Sequence, residues 1–148
     1  MTVAGATAGE VSVTIGASAA DVYAMISDVT RMGEWSPECR RCEWVDDTHT
    51  EFRGHNRVGP WRWSTTAKVV VSQPAVEFAF TVVVKGRDAT RWRYRFDEAE
   101  GGTVLTESYE AVWAPWYFAL GDRIVRRDRA LMQGMRATVD RVKAKAEN

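Results

Sequence analysis

Histidine and cysteine are scarce in this chain: His49 and His55 are its only histidines, Cys39 and Cys42 its only cysteines. Small secreted scaffolds depend on many disulfides, so two cysteines read as reduced thiols. His49 falls at a turn and His55 on the outward face of a strand, which leaves a histidine general base without support. Charge of one sign is lacking too, because 20 basic and 20 acidic residues cancel. No net field then draws the chain to nucleic acid or to an anionic membrane, and no nucleic-acid partner is expected. Long hydrophobic runs are missing: Val76 to Val84 is the longest, and Glu77 and Thr81 interrupt it. A spanning helix needs about 20 apolar residues, so membrane insertion is not expected. Met1 to Gly9 has neither the basic start nor the apolar centre of a signal peptide, and the chain reads as cytoplasmic. No G-x-S-x-G element, Gly-rich phosphate loop or H-E-x-x-H helix occurs, so hydrolase, nucleotide-dependent and zincin chemistries have no support and no cofactor is expected.

What is present is order of another kind. Thr90 to Asp97 alternates arginine with aromatic residues, a period that only an extended strand resolves into two faces. Trp92, Tyr94 and Phe96 form one wall, and Arg91, Arg93 and Arg95 stay hydrated behind it. The 148 residues fit one domain over 1–148, large enough to bury roughly 68–70% of its unfolded surface.

Along the chain, Glu10 to Ile15 alternates as a half-buried first strand. Ser18 caps a helix, with Asp21 three residues on and Val22, Met25, Ile26 and Val29 as its apolar stripe. A second short helix or turn covers Thr30 to Trp35 and stops at Ser36-Pro37, since a residue before proline avoids helical angles. From Glu38 to Trp113, turn signals at Asp46-Asp47, Val58-Gly59-Pro60, Gln73-Pro74, Lys85 to Asp88 and Glu100 to Gly102 separate six strands. Connections this short make an antiparallel meander. After Ala114-Pro115, a long helix carries Leu120, Ile124, Leu131, Met135, Val139 and Val142 on one face.

This order, with particular residues, resembles a known superfamily. Val13 to Ile15 through Asp21-Val22-Tyr23, Asp28, Glu34 to Pro37, Phe52-Arg53-Gly54 with Asn56-Arg57, Trp63 to Thr65, Trp92 to Phe96 and Gly102 to Ser108 are similar to the START and birch-pollen-allergen superfamily (SRPBCC). Within it they resemble the bacterial polyketide cyclase/dehydrase-like group. The resemblance implies an α+β helix-grip fold: a curved antiparallel seven-stranded sheet wrapped around the long C-terminal helix, with two small helices after strand one. It also implies a cavity between the concave sheet face and that helix. The superfamily holds lipid carriers, receptors and aromatase/cyclases, so fold does not fix function.

Strand alternation nominates the lining: Phe52, Gly54 and Asn56; Trp63, Thr65, Ala67 and Val69; Phe78, Phe80 and Val82; Trp92, Tyr94 and Phe96. On the last strand the inward set is Leu105, Glu107, Tyr109, Ala111 and Trp113, which buries Glu107. A buried carboxylate is costly unless held, here by Tyr94 or Arg57, and desolvation raises its pKa. Apolar walls with a few polar atoms suit a hydrophobic or aromatic small molecule, lipid- or polyketide-like, bound by Trp35, Phe52, Asn56, Trp63, Thr65, Phe78, Phe80, Trp92, Tyr109, Trp113 and Met135. Glu34 to Pro37 and Gly59 to Trp61 are expected at the cavity entrance. The alternative is a cyclase/dehydratase-like enzyme with Glu107 and Tyr94 as catalytic acid/base groups. A third reading is a protein-binding module using Trp113 to Phe118, the protein being monomeric or homodimeric.

Cys39-x-x-Cys42 with His49 and His55 has the ligand types of a zinc site, but six residues between Cys42 and His49 are too few, and no metal is expected. On a regular strand Cys39 and Cys42 point to opposite faces.

Overall fold

Alternating sequence in six successive segments, joined by tight turns, folds as one antiparallel sheet. The computed structural model describes residues 8–113 and 123–148. Its strands are β1 (Ala8–Ile15), β2 (Cys39–Trp44), β3 (Glu51–Val58), β4 (Trp61–Gln73), β5 (Glu77–Val84), β6 (Arg87–Ala99) and β7 (Gly102–Ala111), and its helices are α1 (Ala19–Ser27) and α2 (Arg123–Ala146). The sheet order is β1-β7-β6-β5-β4-β3-β2, a meander from β2 to β7 with β1 added beside β7. The expected seven strands and long last helix are present; of the two small helices, the second is a 3-10 turn over Val29–Glu34. The Lys85-Gly86 corner has positive φ at both residues, 53° and 74°, as a two-residue hairpin requires.

Local chemistry sets the helix starts. The Ser18 side chain accepts from the Asp21 backbone N–H at 3.1 Å, and Asp28 Oδ1 accepts from the Thr30 N–H at 3.1 Å, capping the two short elements in turn. Val22 and Ile26 then bury the apolar stripe of α1. Register shifts between Cys39 and Arg41, Val69 and Val71, and Val82 and Val83 mark bulges, which bend the strands that carry them.

Helix α2 lies in the resulting trough with Met135, Thr138, Val139 and Val142 buried. Polar contacts bind it to both ends of the sheet. On the β1 side, Arg136 Nη1 donates to the Ser12 carbonyl at 3.1 Å and Lys143 Nζ to the Thr14 carbonyl at 2.7 Å. On the β2 side, Arg127 pairs with Glu38 at 3.0 Å, Arg141 Nη1 donates to the Trp35 carbonyl at 3.3 Å, and Lys145 pairs with Glu34 at 3.4 Å. The helix backbone thus packs on the β1 and β7 end of the sheet, and its long side chains reach across to the 3-10 turn and the segment that leads into β2. Leu120, Pro115 and Trp116 to Phe118, assigned above to the helix and its approach, lie outside the described residues.

Candidate functional site

Cross-strand register places Tyr94 of β6 directly opposite Glu107 of β7 on the concave face. The Tyr94 hydroxyl donates to Glu107 Oε1 at 2.9 Å. Glu107 is 3% exposed, and its second oxygen, Oε2, has no hydrogen-bond partner. Burial pushes the Glu107 carboxyl up to about 8, with the Tyr94 hydrogen bond opposing part of the rise. Burial, then the neighbouring Glu107 charge, raises Tyr94 well above the ordinary phenol range. At neutral pH the pair is therefore a neutral phenol hydrogen-bonded to a protonated carboxyl. Tyr94 occupies Oε1 as donor, so the carboxyl proton sits on Oε2, a hydrogen-bond donor with nothing to donate to.

Rings surround the pair. Phe80 lies 5.0 Å from Phe52, 6.1 Å from Phe78 and 6.5 Å from Tyr94, centroid to centroid, and Trp92 lies 5.6 Å from Tyr109. The residues nominated from sequence divide by depth. Phe52, Phe78, Phe80, Tyr109 and Met135 are buried in the core, as is Trp35, which is 2% exposed although Glu34 to Pro37 were expected at the entrance. Its depth has a physical reason: the indole packs into the core, the Arg31 guanidinium lies 5.3 Å from the ring centroid, and the carbonyl accepts from Arg141 of α2. Asn56, Thr65, Trp92 and Trp113 are half-buried, and Trp63 is 38% exposed. Asn56 Nδ2 donates to Thr65 Oγ1 at 3.3 Å, and the Arg87 guanidinium covers the Trp113 ring at 4.5 Å. The concave face is thus closed by its own side chains around Leu105 and Phe96 and more accessible at Asn56, Trp63 and Trp113.

Two inward-facing groups escaped the sequence reading. Cys39 and Cys42 were expected on opposite faces, yet both are buried on the concave side with sulfurs 3.2 Å apart. The bulge between Cys39 and Arg41 adds the residue that reverses the parity, and sequence alone gave no sign of it. Asp128, in the first turns of α2, accepts a hydrogen bond from the Tyr109 hydroxyl. A lone acid amid Arg126, Arg127 and Arg129 was the available signal. His55 faces outward, as expected, and bridges Glu43 at 2.8 Å and Ser64 at 3.2 Å. No group of three or more metal-ligating side chains occurs among the described residues. Two surface clefts of about 360 and 520 Å³ open among those residues, the larger lined by Arg40, Arg41, Arg57, Arg62, His55 and Trp63; neither is lined by Tyr94 or Glu107.

A curved sheet gripping a helix around a ring-lined polar pair defines the START-like, helix-grip class. The chain belongs to the polyketide cyclase / dehydrase and lipid transport family, whose model matches residues 7–147. It is similar to a polyketide-cyclase-like protein of Corynebacterium glutamicum solved in solution: 33% identity, 93% of this chain and 90% of that one, TM-score 0.66. It also shares its fold with an aromatase/cyclase from a Streptomyces species (17% identity, 96% and 94% covered, TM-score 0.78) and a START superfamily protein from Mycobacterium smegmatis (13%, 95% and 97%, TM-score 0.71). No curated protein matches the sequence. Among the described residues, no helix is long and apolar enough to cross a membrane.

Proposed function

We propose that the protein binds a hydrophobic or aromatic small molecule carrying a carbonyl or hydroxyl oxygen, between the concave sheet face and α2. The observation that carries this reading is Glu107 Oε2: a buried carboxyl oxygen without a partner, inside a wall of rings. Leaving such a group unmatched costs roughly 1–3 kcal/mol, which a ligand oxygen placed there recovers. The rings supply contact area and the single acid supplies orientation. Access is by way of Asn56, Trp63, Thr65, Trp92 and Trp113, the less buried part of the lining. Residence in the cytoplasm and a single domain over 1–148 belong to the same reading.

Native mass spectrometry of gently purified protein tests for a retained lipid or aromatic metabolite, and titration with a hydroxyanthraquinone supplies a defined probe. Binding that weakens at least tenfold in Glu107→Leu and persists in Glu107→Gln, which keeps a neutral donor, supports the assignment. Equal binding by Glu107→Leu overturns it.

A second reading is favoured by one observation, the carboxyl poised at about 8 beside a phenol. A group with that pKa gives up and recovers a proton near neutral pH, as a cyclase or dehydratase step requires. In that case Glu107→Gln binds the polyketide but no longer turns it over, and Tyr94→Phe slows turnover. Turnover unaffected by both substitutions removes Glu107 and Tyr94 from the chemistry.

A further inference from the structure

Cys39 and Cys42 serve neither reading, yet the bulge in β2 turns both inward and brings their sulfurs to 3.2 Å. A disulfide bond is about 2.05 Å long, so closing the gap requires little more than 1 Å of side-chain motion. The bulge is held from outside by the 3-10 turn, where a Cβ on Gly33 would stand 2.3 Å from the Arg40 carbonyl oxygen. On the inside, Gly54 is the cross-strand partner of Cys42, and a Cβ there would lie 3.5 Å from Cys42 Sγ and 3.8 Å from Cys39 Sγ. Both are ordinary van der Waals distances, so the strand opposite borders the two sulfurs without crowding them. We infer that Cys39 and Cys42 form a reversible redox site, a buried dithiol that a small hydroperoxide oxidises to an intrachain disulfide.

Burial decides the oxidant. At 5% and 4% exposure, the sulfurs offer no surface for an oxidising protein to dock on, whereas a hydroperoxide is small enough to diffuse in. The roles of the two thiols differ. The Cys42 thiol and the backbone of Arg41 and His55 lower the pKa of Cys39, while its bond to Cys39 and burial push Cys42 up. Cys39 sulfur, as thiolate, attacks one peroxide oxygen; the O–O bond breaks, a sulfenic acid forms, and the leaving alkoxide or hydroxide takes up the proton that Cys39 released. Cys42 sulfur then attacks Cys39 sulfur; the S–O bond breaks, and hydroxide leaves as water with the Cys42 proton. Two thiols lose two electrons in total, and the peroxide is reduced to alcohol or water. A small thiol reverses the bond by exchange.

Hydrogen peroxide added to the full-length native protein supplies the test, read by intact mass and a non-reducing peptide map. The expected product has lost two hydrogens, links Cys39 to Cys42 within one chain, and returns to the starting mass with dithiothreitol. Cys42→Ser is expected to gain one oxygen, captured at Cys39 by dimedone, without losing two hydrogens. Should that variant fail to fold, the wild-type map decides alone. Oxygen gained with both thiols still open to alkylation, a link between two chains, or no reaction in the native protein each overturns the assignment.

Discussion

Tyr94 and Glu107 stand opposite each other across β6 and β7, and the phenol donates to the only oxygen of that carboxyl that has a partner. This hydrogen bond favours the ionised carboxylate and so works against burial, which favours the protonated form. Tyr94→Phe removes the opposing contribution. The Glu107 carboxyl then titrates higher than about 8, and stability falls on the order of 1–3 kcal/mol because Oε1 loses its donor. Carbon-13 NMR of the labelled carboxyl follows the first effect and urea unfolding the second. A downward shift would contradict the donor geometry.

Stability should depend on pH through the same group. The folded carboxyl lies at about 8 and its ordinary value at 4.5, so the folded chain retains a proton that the unfolded chain releases over that window. Stability from this group is therefore full below 4.5 and lost progressively as pH rises toward about 8, a total on the order of 5 kcal/mol. Urea midpoints at pH 5 and pH 9 should differ accordingly in the wild type. In Glu107→Gln, which cannot ionise, the slope between them should be largely gone.

The concave lining was legible wherever alternation ran unbroken. Trp92, Tyr94 and Phe96 on β6 and Leu105, Glu107 and Tyr109 on β7 needed only a parity choice, and the polar cost of the alternative Thr106, Ser108, Glu110 face decided it. Parity counting failed at Cys39 and Cys42, because a bulge changes the count by one and leaves no compositional mark. The depth of Trp35 was hidden for another reason. It is a tertiary arrangement: the indole joins the core cluster, while Arg141 of α2 holds the Trp35 carbonyl and Lys145 pairs with Glu34, contacts between segments far apart in the chain.

Depth within the lining separates stability from binding. Met135 is 1% exposed beneath the sheet, and Met135→Ala should cost about 2–5 kcal/mol through lost contacts and the void left behind. Trp63 is 38% exposed, so Trp63→Ala should change stability by less than about 1 kcal/mol. Under the proposed function it nevertheless weakens hydroxyanthraquinone binding several-fold, since the indole lies on the concave side with Asn56 and Thr65. Urea unfolding and a binding titration on both variants check the contrast. A large stability loss in Trp63→Ala would place that ring in the core instead.

Gly33 links the turn to the bulge that positions the cysteines. A methyl group at this position would stand 2.3 Å from a backbone oxygen, that of Arg40, which has no flexible end to move aside. Gly33→Ala therefore has to push the 3-10 turn away from β2, an overpacking cost of about 1–3 kcal/mol. The displacement reaches Cys39, because Arg40 is the residue between Cys39 and Arg41, where the register shifts. The variant should unfold at lower urea, and its Cys39 should react faster with a thiol-alkylating reagent under native conditions. Wild-type stability together with wild-type thiol reactivity would mean that the turn and the bulge do not bear on each other.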